Sequence, residues 1–452
     1  MRSKRSDESF LEYKQRVLDN KSASFCGAKW YNATIWLGSG QTTSCHHPLP
    51  HKIDANAVLQ HPPLLHNTPE KKEHRRLMQL GQRPNGCEYC WRIEDSSPTA
   101  ISDRPYKSMI YSEAELKEAF DTSYTYDVNL RTLEIAFDRT CNFACSYCNP
   151  AFSTTWVKDI KTNGPYTDLV SDGRNHFTHV HDNAQLYGFT DTNPYVEAFF
   201  KWWDSDLHKT LRELRITGGE PLMSGHTWKL LEWFKDNRGK SQTKLAINSN
   251  LGIDKEKLVE FVDNICDLSD VEIYTSCEAF KDHAEYIRDG LNYNQWFDNL
   301  VYLYKSGVVK QLHVMATVNG LCLLSLPNFL DHLMDFKMGW GRDSLSFTLN
   351  ILRFPSFQSP TVMPYGIREE CAATLENFLS RFESTKYLHQ MEIEHIKRLI
   401  DYLRTIKTPH EGASSINKLE KDFKNFYEQY DIRRNKDFIK TFPDLEHWYR
   451  GL

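Results

Sequence analysis

Nowhere in the 452 residues does an apolar run approach the about 18 residues needed to cross a bilayer, so no transmembrane helix is expected. The opening MRSKRSDESFLEYKQR lacks the apolar stretch of a secretory signal, and a cytoplasmic location in the reducing cytosol is expected. An excess of one charge is lacking too: 55 basic against 60 acidic residues leave a formal net charge of −5. That near balance gives no electrostatic case for a nucleic-acid or membrane partner. There is no internal repeat or low-complexity tract, which excludes a stacked-repeat architecture. What remains is an ordinary globular composition, 40% hydrophobic and 25% charged. The length fits roughly two to four domains.

Cysteine, by contrast, is plentiful. Stable disulfides are not expected in a reducing compartment, so the 11 cysteines need another explanation. Cys26, Cys45, Cys87, Cys90, Cys141, Cys145 and Cys148 lie in the first third, the last five in a tight pair and a triplet. Such clustering points to metal. Cys266, Cys277, Cys322 and Cys371 scatter and read as buried small hydrophobes, with only Cys277 at a strand end where it could face a site.

Residues 1–25 read as a charged helical lead-in and 26–125 as a cysteine-rich segment. Within it, 26–110 looks irregular apart from a short helix near Glu70–Leu80. From about 126 to 360 short β-rich runs alternate with helical ones. Strands are predicted at 133–137, 214–218, 244–250, 271–276, 311–319 and 345–352. Helices are predicted at 194–207, 226–236, 255–264 and 325–336, with helical stretches up to about 306, and a polar insertion fills 160–193. Six β/α units in a row imply an α/β fold, a partial (β/α)6 TIM-like barrel, whose chemistry gathers on the loops after the strands. Residues 361–452 read as a helical extension, and their aromatic stripe as core packing.

The loop FDRTCNFACSYCNP after the first barrel strand holds Cys141-x3-Cys145-x2-Cys148. Three thiolates can hold three corners of a cubane 4Fe-4S cluster and leave one iron open for a ligand. Structural zinc on three cysteines and a distant histidine is the alternative. Thr217–Pro221 spells T-G-G-E-P after the second strand, where glycines allow close backbone approach and Glu220 can accept from an ammonium. His46, His47, His51, His61, His66 and the HFTHVH run at 176–181 read as surface polar loops rather than ligands.

The Cys141–Cys148 triplet, with Tyr147 just before its third cysteine, resembles the signature of the radical S-adenosylmethionine superfamily. Gly218, Gly219, Glu220 and Pro221 are similar to that family's segment for the methionine amino group. The resemblance implies ribose contacts from Asn248 and Asn250 in the Asn248-Ser249-Asn250 cluster. It also implies cofactor binding at Ser276, in a Ser276-Cys277-Glu278 stretch where many relatives have S-L-D-G, and a carboxylate partner in Arg288. Capping of a strand–helix loop is the rival role for Asn250 and Glu278, and a surface ion pair for Arg288. The activity implied is reductive cleavage of S-adenosyl-L-methionine to a 5′-deoxyadenosyl radical. That radical takes hydrogen from a peptide or small-molecule substrate, and an electron donor such as flavodoxin or ferredoxin supplies the cluster. No catalytic residue is assigned.

Cys26, Cys45 and the Cys87-x2-Cys90 pair, with Gly40 five residues before Cys45, resemble the auxiliary-cluster modules called SPASM and twitch. Here they precede the barrel. The resemblance implies a second, fully ligated 4Fe-4S cluster, with structural zinc as the rival. A non-catalytic iron–sulfur or zinc scaffold is the alternative for the whole chain.

Overall fold

All six predicted strands form, each within one residue of its expected ends. The computed structural model describes residues 2–171, 176–188, 191–405 and 416–452. Positions 172–175 and 189–190 of the polar insertion, and 406–415 of the expected helical extension, lie outside the described residues. In chain order the strands are β1 (Asn32–Trp36), β2 (Gln41–Thr43), β3 (His51–Lys52), β4 (Thr132–Ala136), β5 (Ala144–Cys145) and β6 (Glu213–Thr217). They continue with β7 (Lys244–Ser249), β8 (Val271–Ser276), β9 (Arg288–Asp289), β10 (Gln311–Val318) and β11 (Ser346–Ile351).

The chain divides into two compact units. The first comprises Met1–Asp138, Gln185–Ile216 and Asn237–Leu245, and its strand order is β6-β4-β1-β2-β3. β1 runs parallel to β4 with Ile35 opposite Ile135, and antiparallel to β2 with Thr34 opposite Thr43. The region 26–110 is therefore not irregular, contrary to the sequence-based expectation. It contributes three strands and the helices Ala55–Gln60, Pro69–Gln79 and Glu88–Ser96. β1 was hidden because it is only NATIW, with three consecutive buried residues and no alternation to mark a strand. Its pairing comes from β4, a hundred residues away. The lead-in packs as well as carrying charge: Tyr13, Val17 and Leu18 join Phe25, Trp30, Met78 and Trp91 in one apolar cluster.

The second unit comprises Arg139–Ala184, Thr217–Asp236 and Ala246–Leu452, with strand order β11-β10-β8-β7. β10 is parallel to both β8 and β11. The helices between them start and stop where local chemistry allows. Asn292 caps Tyr293–Ser306 by accepting from Gln295 N, and Gly307 ends that helix in the left-handed conformation. The C-terminal helices are Tyr365–Phe382, Gln390–Leu403 and Ile416–Arg434. The aromatic stripe does form core, with Phe423, Phe426, Tyr427, Tyr430 and Phe438 all buried. Among the described residues no helix is long and apolar enough to cross a membrane.

Candidate functional site

In the second unit the loop after β4 carries the cysteine triplet, and its middle cysteine lies in a strand of its own. β5 pairs antiparallel with β9, setting Cys145 opposite Arg288, and Ser146 N donates to Ile287 O at 2.7 Å. Trp156 Nε1 donates to Cys145 O at 3.0 Å, and Tyr430 donates through its hydroxyl to Ala144 O at 3.3 Å. Ser146 Oγ meets Gln358 Oε1 at 3.1 Å and the Tyr427 hydroxyl at 3.3 Å. The C-terminal aromatic helix thus anchors the cysteine loop, a role the sequence pattern did not reveal.

Burial pushes all three thiols up, Cys148 to about 12, and Cys145 adds to the push on both Cys141 and Cys148. At Cys145 the Arg288 guanidinium opposes that push. Thiols that resist ionisation in this way become good ligands only when a cation displaces their protons. The donor set of three soft sulfurs on one short loop therefore fits an iron–sulfur cluster. Among the described residues no three His, Cys, Asp or Glu side chains already stand at the spacing of ligands to one metal ion.

Two hydrogen-bonded clasps surround the triplet. In the first, Asn250 Nδ2 lies 4.0 Å from Cys141 Sγ and donates to Asn142 Oδ1 at 2.9 Å. The Asn250 backbone N–H donates to Glu220 Oε2 at 2.5 Å. Glu220 is buried and also accepts from Ser249 Oγ at 2.7 Å and Leu222 N at 3.0 Å. Its carboxylate thus spans the ends of β6 and β7. Gly219 lets the T-G-G-E-P turn close on the cysteine loop, because an added Cβ would lie 2.3 Å from Thr140 O. Pro221 opens a buried 3-10 turn, and Gly218 is exposed with φ +125°.

In the second clasp, Arg288 Nη2 pairs with Glu278 Oε2 at 2.6 Å, and its Nε donates to both carboxylate oxygens at 3.1 Å. Nη1 reaches Cys145 Sγ at 3.7 Å. The Tyr147 hydroxyl donates to Glu278 at 3.1 Å. Glu278 is 0% exposed and Arg288 5%, so Arg288 makes a buried ion pair, not a surface one. Asn248 lies half-buried within β7 and Ser276 half-buried at the end of β8. The sequence missed Asn142 and Gln358; Asn142 at least lies inside the cysteine motif.

In the first unit Cys26, Cys45, Cys87 and Cys90 line one small pocket, together with Lys29 and His47. The β1–β2 hairpin brings Cys45 there. Its turn uses Gly40 at φ +61°, where any Cβ would strike the Tyr195 ring at 2.2 Å. Cys26 lies just ahead of the Ala28–Tyr31 helix, and Cys87 caps Glu88–Ser96. Burial raises Cys26 to about 12 and also raises Cys87 and Cys90, with further upward pushes from the neighbouring thiols. Here too the donor set, four soft sulfurs lining one pocket, fits metal.

Two expectations need correcting. His66 is not on a surface loop; it is fully buried against Trp30 O at 2.7 Å, with Lys71 and Arg75 on its ring nitrogens. His46 and His61 are exposed, and His47 and His51 half-buried. Cys266 is exposed at a helix end rather than buried, whereas Cys277, Cys322 and Cys371 are buried.

Glu220 supplies a pH prediction. Burial raises it from 4.5 to about 7, against the pull of Asn250, Ser249 and Leu222. A carboxyl with a raised folded value contributes stability that is complete below 4.5 and lost as pH rises through about 7. That shift corresponds to about 3 kcal/mol. In Glu220→Gln this contribution vanishes, so Tm should fall less between pH 4.5 and 7 than in the parent chain. Identical slopes for the two chains would show that Glu220 does not titrate there.

No protein-family model matches the chain, and no curated protein does. Among solved structures it is similar to the crystal structure of Streptococcus suis SuiB bound to S-adenosylmethionine, at 13% identity and a TM-score of 0.33. That likeness covers 70% of this chain and 64% of SuiB, so the chain spans less than two thirds of the length of SuiB. It is also similar to native anSMEcpe with bound AdoMet and Cp18Cys peptide, at 11% identity and a TM-score of 0.33. There the likeness covers 71% of this chain and 100% of the other.

Proposed function

We propose that the chain is a radical S-adenosylmethionine enzyme built on a partial (β/α)6 barrel, with Cys141, Cys145 and Cys148 as the ligands of a 4Fe-4S cluster. One observation carries this: the triplet, with Cys145 buried and Cys141 and Cys148 half-buried, lies beside the Asn250–Glu220 clasp and the Tyr147–Glu278–Arg288 clasp, the loops on which the family-like motifs fall. When bound, such a cluster supplies the electron that splits the C–S bond of S-adenosyl-L-methionine and so begins hydrogen removal from a substrate.

The chain's own residues bind and orient. Backbone groups of Gly218, Gly219 and Pro221 would bind the methionine end of the cofactor. Glu220 fixes that turn to β7 and keeps acceptor capacity beyond its three internal donors. Asn248, Asn250 and Ser276 would contact the cofactor ribose. Arg288, steadied by Glu278, orients Cys145 and offers positive charge to a carboxylate. Cys26, Cys45, Cys87 and Cys90 would hold a second, fully ligated 4Fe-4S cluster in a twitch/SPASM-like segment, which would pass electrons. The substrate is a peptide or small molecule, the donor a flavodoxin or ferredoxin type, and the setting cytoplasmic, as an oxidoreductase. A non-catalytic metal scaffold is disfavoured, because it gives no reason for a T-G-G-E-P turn closed on the cysteine loop through a buried Glu220. The test is cleavage of S-adenosylmethionine by the anaerobically loaded chain, compared with the chain carrying Ala at Cys141, Cys145 and Cys148.

A further inference from the structure

We infer that Lys29, backed by Lys71 and Arg75, is the built-in counter-charge of an anionic four-thiolate metal site on Cys26, Cys45, Cys87 and Cys90. The inference rests on the metal-binding role proposed for those cysteines and adds residues that no motif marks. Three cations lie buried together in the first unit: Lys29 is 3% exposed, Lys71 1% and Arg75 0%. Lysine and arginine are almost never fully buried unless paired with an anion.

Their contacts are nevertheless with neutral groups. Lys29 Nζ lies 3.2 Å from His74 Nδ1. Lys71 Nζ donates to Thr42 Oγ1 at 2.7 Å and Thr43 O at 3.1 Å, and lies 3.3 Å from His66 Nδ1. Arg75 donates to Lys29 O at 3.0 Å and Asn67 Oδ1 at 2.9 Å, and lies 2.8 Å from His66 Nε2. Among the described residues none of the three has a carboxylate within ion-pair distance. Arg104, which lines the same pocket as Lys29, is different: it pairs with Asp19 at 2.9 Å and Glu94 at 2.8 Å. The fold therefore supplies carboxylates to one buried cation at this pocket and withholds them from Lys29.

The anion that completes the balance is on the pocket wall. Lys29 and all four cysteines line it, and the carboxylate on that wall, Asp103, is engaged by His47 at 2.8 Å rather than by Lys29. As thiols the cysteines are neutral. Bound to a metal they are thiolates, and four of them leave the site net negative around either zinc or an iron–sulfur cubane. Loading the site then turns an uncompensated set of buried cations into a compensated one, so metal binding and the packing of this unit are coupled.

The test uses the full-length chain with Cys141, Cys145 and Cys148 changed to Ala, so that bound metal reports on the N-terminal thiols. Lys29→Met in this background should release metal to a competing chelator at least tenfold more readily, whereas Lys29→Arg should match the parent. The effect on Tm should change sign with loading: Lys29→Met raises Tm of the metal-free chain, by removing an unpaired cation, and lowers Tm of the loaded chain. A lysine with only a packing role would lower both. Lys71→Met, a layer further out, should show the same two signs and stands in should Lys29→Met fail to fold. Metal retention equal to the parent, or a lower Tm in both states, overturns the inference while leaving the metal site intact. A parent that binds no metal at all overturns both the site and its counter-charge.

Discussion

Replacing Glu278 with Ala should destabilise the folded chain by about 3–5 kcal/mol, because it strands Arg288 as a buried charge. Arg288 is 5% exposed and makes three hydrogen bonds to Glu278, so no water-filled route compensates for the loss. The damage should reach the triplet, since Arg288 sits opposite Cys145 in the β5–β9 ribbon and its Nη1 touches the sulfur. Tyr147 would lose its acceptor as well. Chemical denaturation followed by circular dichroism reads the stability, and iron retention by the loaded protein reads the triplet. Pairing Glu278→Leu with Arg288→Met should recover much of the stability, because the pair is then removed whole, but not the hold on Cys145. A loss under about 1 kcal/mol in Glu278→Ala would class the pair with surface ion pairs.

The second large effect belongs to the N-terminal cysteines. Any single Cys→Ala among Cys26, Cys45, Cys87 and Cys90 should remove one cluster's worth of iron, taking roughly eight irons per chain to roughly four. The four residues come from the start of a helix, the strand end after β2 and the cap of Glu88–Ser96, so one site ties three separate segments together. Losing a ligand should therefore open the whole segment to protease rather than fray one loop. Iron, sulfide and zinc counts on purified protein decide the metal. About four irons with one zinc in the unmutated chain would identify the site as structural zinc and remove its electron-transfer role, without touching the triplet.

What the sequence made legible follows from locality. The strands β4, β6, β7, β8, β10 and β11 carry runs such as LEIAF and VEIYTS, whose apolar β-branched content needs no partner to be recognised. β1 does not, because NATIW acquires strand character only against β4. The cysteine motifs were legible because the Cys141–Cys148 triplet and the Cys87–Cys90 pair each span only a few residues. The clasps were not: Tyr147 and Glu278 are separated by 131 positions, and Ser146 and Gln358 by 212. Lys29, Lys71 and Arg75 belong to no sequence motif, and only their burial sets them apart from ordinary charged residues. His66 was read as a loop residue for the same reason. Composition describes a residue's habit, whereas only tertiary contact decides its exposure.

The central claim is tested most directly by one product assay. The chain is reconstituted anaerobically with iron and sulfide, reduced with dithionite and given S-adenosylmethionine, and 5′-deoxyadenosine is measured by chromatography and mass spectrometry. The expected result is accumulation of 5′-deoxyadenosine with methionine, and none above background when Cys141, Cys145 and Cys148 are all Ala although the N-terminal metal remains bound. Equal product from the parent and the triple variant, or no product from a parent shown to carry its full iron, would contradict it.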